Sequence, residues 1–221
     1  MRAYVSGASG FIGSHVVGAL RAAGWEVGEE FVDVGDMDGL RHAMKGADAV
    51  FHLAARYAFR GDPDEFARVN VVGTRNVLEA ARASGVARVV YTSTCATCGH
   101  VAGRPATEED GPPAWELAVP YKATKLEAER LALAAARDGS DVVIVNPTTP
   151  VGEGDTAPTP TGRMVRGVAT GRFRACLGGT GVNLVDVRDV ARGHLLALSG
   201  VAAGSAICSE ARTCRSARRS R

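Results

Sequence analysis

Tyr121 and Lys125 stand four residues apart in "PYKATK", a spacing that puts both side chains on one face of a helix. A tyrosine ordinarily ionises near pH ~10 and is a poor base at neutrality. An ammonium group beside it favours the phenolate, lowers that pKa and allows proton exchange with a substrate hydroxyl or carbonyl. Upstream, "VVYTST" ends on Ser93 and Thr94, and a hydroxyl there is suited to hydrogen-bond the same substrate oxygen. The alternative for Tyr-x-x-x-Lys is a solvated helix face. A second set is independent: Gly7, Gly10 and Gly13 recur at every third position in "VSGASGFIGSHVVGAL". Such glycines permit a tight turn, close approach of backbone to a pyrophosphate, and close packing of a helix on a sheet. The free N–H groups of the helix that follows favour phosphate.

The elements needed to hold these residues alternate along the chain. "AYVS" reads as a buried strand running into the glycine turn, and Ile12, Val16 and Leu20 mark a helix closed by Gly24. "DAVFHLAA", "ARVVYTST" and "SDVVIVNP" read as further strands, the last stopped by Pro147. Between them lie a helix over 64–84, ending at Gly85, and a long Ala/Leu/Glu helix over 121–137. Strands this apolar, alternating with helices, predict an α/β fold: a doubly wound, Rossmann-like parallel sheet covered on both faces. From 148 to 183 the chain is rich in Pro, Gly and Thr, and "NLVDVRDVARGHLLALSG" reads as a short strand turning into a helix. The expected organisation is a dinucleotide-binding domain over 1–147, a partial substrate-binding lobe over 148–203, and a basic, disordered tail over 204–221.

At 221 residues, 46% hydrophobic and 23% charged, the composition is that of a soluble globular protein. The net charge of +2 comes from the end: Arg212, Arg215, Arg218, Arg219 and Arg221 have no acidic neighbour, and the body is slightly acidic. That argues against nucleic acid as a partner of the body. No run approaches a membrane span, and the start has no secretory apolar region. Five cysteines without framework spacing fit a reducing compartment, so a cytoplasmic location is expected.

In order, "GASGFIG", "FHLAA", "NVVGTRNVLEAA", "VVYTST", "PYKATK" and "NPTTPVG" resemble an extended short-chain dehydrogenase/reductase of the NAD-dependent epimerase/dehydratase group. The stretch from "PTPTGRMVRGVATGRF" to "GVNLVDVRDVARGHLLAL" is similar to the branch holding hopanoid-associated sugar epimerases and dihydroflavonol-reductase-like carbonyl reductases. The resemblance implies Thr94 as the catalytic hydroxyl and Tyr121 as acid/base. Lys125 would hold the nicotinamide ribose and depress the tyrosine's pKa. It further implies Gly7, Gly10, Phe11, Ile12 and Gly13 around the pyrophosphate, with Asp36 and Met37 at the adenine. Leu53, Ala54 and Ala55 would flank the adenosine–phosphate region, Asn70 falls on the family's helix asparagine, and Asn146 and Pro147 join the cofactor set. The implied cofactor is NAD, with NADP as the alternative, the partner a sugar-like or small carbonyl substrate, and the assembly a homodimer.

Two segments depart from that pattern. Trp25 to Asp36 must supply a second strand, a loop and a third strand, with "FVDVGD" expected in the third. Asp33, Glu26, Glu29 and Glu30 all remain candidates for the ribose acceptor, and no basic residue is placed for a 2′-phosphate. The ending is the other. Relatives continue with a strand of the type "ERYxLGGE". Back-translated with GC-rich codons and read two letters later, the tail gives "ERYLLGGEDLPLRE". A frameshift between about Ser199 and Gly204 is therefore expected to have replaced the native ending, the rival being a basic arm for nucleic acid or membrane.

Other candidates have plainer readings. Cys95-x-x-Cys98 lacks partners for a metal and reads as small apolar filling, so no metal is expected. His52 reads as structural, and Asp189 as a helix cap with Asp186 towards the substrate cleft. Arg163 and Arg172 suit a substrate phosphate or solvent. The functions that compete are an NAD(P)-dependent epimerase, dehydratase or carbonyl reductase, a nucleotide-binding remnant without turnover, and a basic-tail nucleic-acid binder.

Overall fold

The computed structural model describes residues 1–28, 30–99, 101, 103–104, 106–107, 109–174, 181–209 and 213–215. In chain order it forms β1 (Arg2–Ser6), α1 (Phe11–Ala22), β2 (Glu26–Gly28), α2 (Met37–Met44) and β3 (Ala49–His52). Next come α3 (Pro63–Phe66), a π-helical turn (Ala67–Val72), α4 (Gly73–Ala83) and β4 (Arg88–Thr92). The remainder is α5 (Pro120–Arg137), β5 (Val142–Pro147), β6 (Thr149–Val151), α6 (Pro160–Ala169), β7 (Gly181–Asp186), α7 (Val187–Gly200), β8 (Ala206–Ser209) and β9 (Thr213–Arg215).

Six strands make one parallel sheet in the order β2-β1-β3-β4-β5-β8. Alternate residues of each strand serve opposite faces. Tyr4, Val50, Tyr91 and Ile144 pack under α2, α4 and α5 with Leu40, Met44, Val77 and Ala132. Ala3, Val5, Phe51, Val90 and Val143 pack on the other face with Val16, Leu20, Ala191 and Ala197 of α1 and α7. Burial on both faces explains why the strands read as unbroken apolar runs rather than alternating ones. The chain crosses from one side of β1 to the other between β2 and β3, so the switch point of the sheet opens at the C-terminal ends of β1 and β3. No described helix is long and apolar enough to cross a membrane.

Three expectations are corrected. The "FVDVGD" segment forms no strand: β2 ends at Gly28, and Phe31 is 91% exposed, because no described strand lies outside β2 to pair with it. α7, grouped by sequence with the lobe, packs against α1 and the main sheet through Val190, Ala191 and Ala197. The tail is not wholly disordered, since Ala206–Ser209 pairs with β5 from Ile144↔Ala206 to Pro147↔Ser209, and Thr213–Arg215 runs antiparallel to β7. The exposed edge of β5 offers a ladder of backbone donors and acceptors that a short segment of almost any composition can satisfy. The other tail residues, with Arg212, Arg218, Arg219 and Arg221, lie outside the described residues, as does Glu29.

Candidate active site

A cleft of about 500 Å³ opens where the strands end. Gly7, Gly10, Phe11, Ile12 and Gly13 line one side, Leu53 and Ala55 follow β3, Thr92 to Ala96 follow β4, and Pro147 ends β5. Tyr121, Lys122 and Lys125 face it from α5, and Tyr57, Phe59, Thr159 and Thr161 close the open side.

The glycine turn is fixed by steric contact. Gly7 adopts φ +75°, which side chains rarely tolerate, and a Cβ there would stand 2.7 Å from the Ala54 nitrogen. At Gly13 a Cβ would stand 2.0 Å from the Gly7 carbonyl oxygen. Gly10 is the N-cap of α1 and brings no side chain to the helix's free N–H groups, and the first turn carries no acidic residue. That end of α1 is therefore open to a phosphate, and the turn fits the pyrophosphate of a dinucleotide.

Tyr121 and Thr94 both line the cleft. Thr94 also caps the turn after β4, its hydroxyl accepting from the Ala96 N–H at 3.3 Å. Lys125 reaches down to the end of β4. Its ammonium donates to the Tyr91 hydroxyl and to the Thr92 carbonyl, both at 2.7 Å, and lies 4.4 Å from the Tyr91 ring centroid. Burial, only partly countered by the Glu129 carboxylate, lowers the Lys125 pKa to about 7. Burial raises that of Tyr121, with Thr94 acting in the opposite sense. The Tyr57 ring lies 4.7 Å from the Tyr121 ring, and the Tyr57 hydroxyl lies 3.4 Å from that of Thr161.

Beneath the cleft, polar groups are locked by hydrogen bonds. Asn70 accepts from the Arg56 N–H at 2.8 Å and donates to the Arg56 carbonyl and the Thr124 hydroxyl. It sits in the π-helical turn, the kind of helical irregularity often found beside functional sites. Thr74 uses its proton on the Asn70 carbonyl at 2.6 Å, so His52 Nε2–H donates to Thr74 at 3.0 Å and His52 Nδ1 accepts from Ser6 at 2.7 Å. Burial, reinforced by the charge of Lys125, lowers the His52 pKa to about 3. His52 is structural, as its strand position implied. His194 of α7 donates through Nδ1 to the Val190 carbonyl and accepts from Thr92 at 2.8 Å; burial lowers its pKa to about 4.

Several of the expected residues hold the fold around the cleft. Asp36 does not line the cleft: it caps α2, accepting from the Gly39 N–H at 3.0 Å, while Met37 packs against the core. Ala54 backs Gly7 from behind the turn, Asn70 clamps the loop after β3, and Asn146 is fully buried below Thr94, whose carbonyl accepts its amide at 3.2 Å. Each is set back from the cleft because it is held by backbone or core. Asp33 commits its carboxylate to the Gly35 N–H at 2.7 Å and to Arg68 at 3.3 Å. Asp186, not Asp189, caps α7, accepting from the Arg188 N–H, and Asp189 pairs with Arg192. Arg163 and Arg172 border a neighbouring cavity of about 650 Å³ with Phe59, Met164 and Phe173. Cys95 lines the cleft with its pKa raised by burial, and no cluster of metal-ligating side chains occurs among the described residues.

Tyr57, Phe59, Tyr91 and Glu129 were not singled out in the sequence. Glu129 alone carried a signal, because Tyr121, Lys125 and Glu129 recur at every fourth position of α5.

Known proteins are similar to this chain. A Synechocystis sp. protein provisionally named a dihydroflavonol 4-reductase is 41% identical over 214 residues, covering 88% of this chain and 62% of its own length. The 2-alkyl-3-oxoalkanoate reductase of Stenotrophomonas maltophilia is 33% identical over 233 residues, covering 96% of this chain and 69% of its own. The chain thus spans about two thirds of the length of such relatives. The structure of MoeE5 in complex with UDP-glucose and NAD superposes with a TM-score of 0.83 at 31% identity, covering 97% of this chain and 78% of that one. The model of the NAD dependent epimerase/dehydratase family matches residues 3–207, and the chain belongs to that family.

Proposed function

We propose that this chain binds NAD in the cleft at the strand ends. It would serve hydride transfer at a carbinol or ketone carbon of a sugar-like or small carbonyl substrate, as an epimerase, dehydratase or reductase. The observation that carries this reading is the convergence of Thr94, Tyr121 and Lys125 on the same cleft as the uncapped N-terminus of α1. When bound, the nicotinamide supplies or takes the hydride. Gly7, Gly10, Phe11, Ile12 and Gly13 would hold the pyrophosphate, Leu53 and Ala55 the adenosine side, and Lys125 the nicotinamide ribose. Tyr121 exchanges the proton with the substrate oxygen, and Thr94, which lines the same cleft, orients that oxygen. A bound ribose would meet Lys125 where it lines the cleft, and its cation favours the phenolate once cofactor and substrate are assembled. NAD is favoured over NADP because Arg68, brought beside Asp33 by the fold, is neutralised by it.

Relatives support both substrate classes: they include an oxoalkanoate reductase and a protein solved in complex with UDP-glucose. The aromatic cover of Tyr57 and Phe59 over Tyr121 suits either an apolar carbonyl compound or the face of a sugar ring. The test is a titration of the purified chain with NADH and with NADPH, read by nicotinamide fluorescence. A screen of 3-oxo acids and nucleotide sugars then follows with the preferred cofactor. Saturable NADH binding with turnover of either class supports the reading.

One observation favours a second reading, a nucleotide-binding protein without turnover: residues 30–36 form no strand beside β2, and Phe31 lies in solvent. NADH binding with no turnover in the screen would select it, and failure to bind either nucleotide would overturn both.

A further inference from the structure

Glu129 ties three separate segments together. One of its carboxylate oxygens, Oε2, accepts from the Ser93 hydroxyl at 2.5 Å, the Thr97 hydroxyl at 2.8 Å and the Asn146 amide at 2.8 Å. An ionised carboxylate accepts only, so three donors on one oxygen suit the anion. The segments are the end of β4, the turn behind it, and β5. Thr94 lies between Ser93 and Thr97, and its carbonyl receives the same Asn146 amide at 3.2 Å and the Thr97 hydroxyl at 2.7 Å.

Counting hydrogens shows how the donors are shared. The Thr97 hydroxyl has one proton and two acceptors in reach, Glu129 and the Thr94 carbonyl, while the Asn146 Nδ2 has two protons for three acceptors. Asn146 Oδ1 has no partner, although the residue is fully buried. The amide gives up one of its own bonds to turn both protons towards the carboxylate and its neighbours. Reversing it would set its oxygen against Glu129.

Lys125 stands one helical turn before Glu129 and is 2% exposed. The charged and titratable groups that face its ammonium are Tyr91 of β4, His52 of β3 and Glu129 of its own helix. His52 is neutral and Tyr91 protonated at neutral pH, and Glu129 is the acidic residue among the three.

We infer that Glu129 is the positioning residue of this site: it anchors the turn that carries Thr94 and sets its carboxylate one helical turn from the buried Lys125. The inference deepens the functional reading above and rests on it for the roles of Thr94 and Lys125.

The experiment uses the full chain with Glu129→Gln and Glu129→Ala. Amide hydrogen exchange follows the Ala96, Thr97 and Cys98 N–H groups, which bond to Thr94 Oγ1, Thr94 O and Cys95 O. Side-chain NMR of labelled lysine follows the titration of Lys125. Glu129→Ala is expected to speed exchange at those three amides at least about tenfold while β1 and β3 keep their protection. Glu129→Gln, close in shape, is expected to lower the Lys125 titration midpoint by about half a pH unit or more. A purely structural role would not move that midpoint. Should the alanine variant fail to fold, the glutamine variant decides both parts by the same two readouts. Exchange at 96–98 equal to wild type, or a Lys125 midpoint unmoved in Glu129→Gln, overturns the proposal. NADH titration of the wild type stands apart: absence of binding would remove the cofactor reading and leave these two results as they are.

Discussion

The Lys125 ammonium donates to the Tyr91 hydroxyl at 2.7 Å, although Tyr121 is the tyrosine that shares its helix face. Sequence spacing puts two side chains on one stripe of a helix, but the sheet below decides where a long one ends. The end of β4 lies within reach of α5, and its Tyr91 hydroxyl and Thr92 carbonyl give the ammonium two buried acceptors. The site is thus charged with a lysine whose pKa burial has lowered to about 7.

That lysine makes stability rise with pH. Its folded pKa of about 7 lies below the ordinary 10.5, so between these values the unfolded chain binds more protons than the folded one. The expected slope is positive from about pH 7 to pH 9, amounting to at most a few kcal/mol. Lys125→Met should flatten it. Urea midpoints at each pH are the check, and equal slopes in both chains would contradict the assignment.

The buried histidines act at lower pH with the same sign. His52 and His194 have folded pKa values of about 3 and about 4, below the ordinary 6.5, so the unfolded chain takes up protons first as the pH falls. Stability is lost from about pH 6.5 downward. His194→Asn should reduce the loss between pH 6.5 and 4, measured by thermal melts in matched ionic strength, even if the variant starts less stable.

Tyr121→Phe removes the hydroxyl proposed above to exchange the proton and leaves the glycine turn intact. Turnover is expected to fall by at least about a thousandfold with NADH affinity changed less than about threefold. Thr94→Val should lower kcat more modestly, about ten- to a hundredfold. Full activity in Tyr121→Phe would refute the acid/base role.

Two glycines of one helix should part company. Gly13→Ala forces a Cβ to 2.0 Å from the Gly7 carbonyl, so NADH binding should be lost or the chain fail to fold. Gly18, in the middle of α1, has nothing within 4 Å of the place a Cβ would take, and Gly18→Ala should stabilise by about 0.5–1 kcal/mol. For a chain of this size that raises Tm by about 1–4 °C, readable by calorimetry alongside NADH affinity unchanged.

The sequence by itself determined the repeating strand–helix order, the glycine turn, and the ordering of Thr94, Tyr121 and Lys125 around one cleft. These are short-range properties: apolar runs long enough for a sheet buried on both faces, a spacing of three glycines that only a tight turn uses, and a period of four on a helix. Tertiary structure decided which groups those residues meet. Asp36 became a helix cap because Gly39 follows it one turn on, Asp33 was claimed by Arg68 from a helix 35 residues away, and the tail found a place on the open edge of β5. Glu129 was visible only as a third residue at a spacing of four. Its meaning came from Ser93, Thr97 and Asn146, which lie 36, 32 and 17 residues away and converge because β4 and β5 end side by side. A buried charge is governed by its surroundings in space, and no spacing along the chain encodes how far a lysine is removed from water or which acceptor waits beneath it.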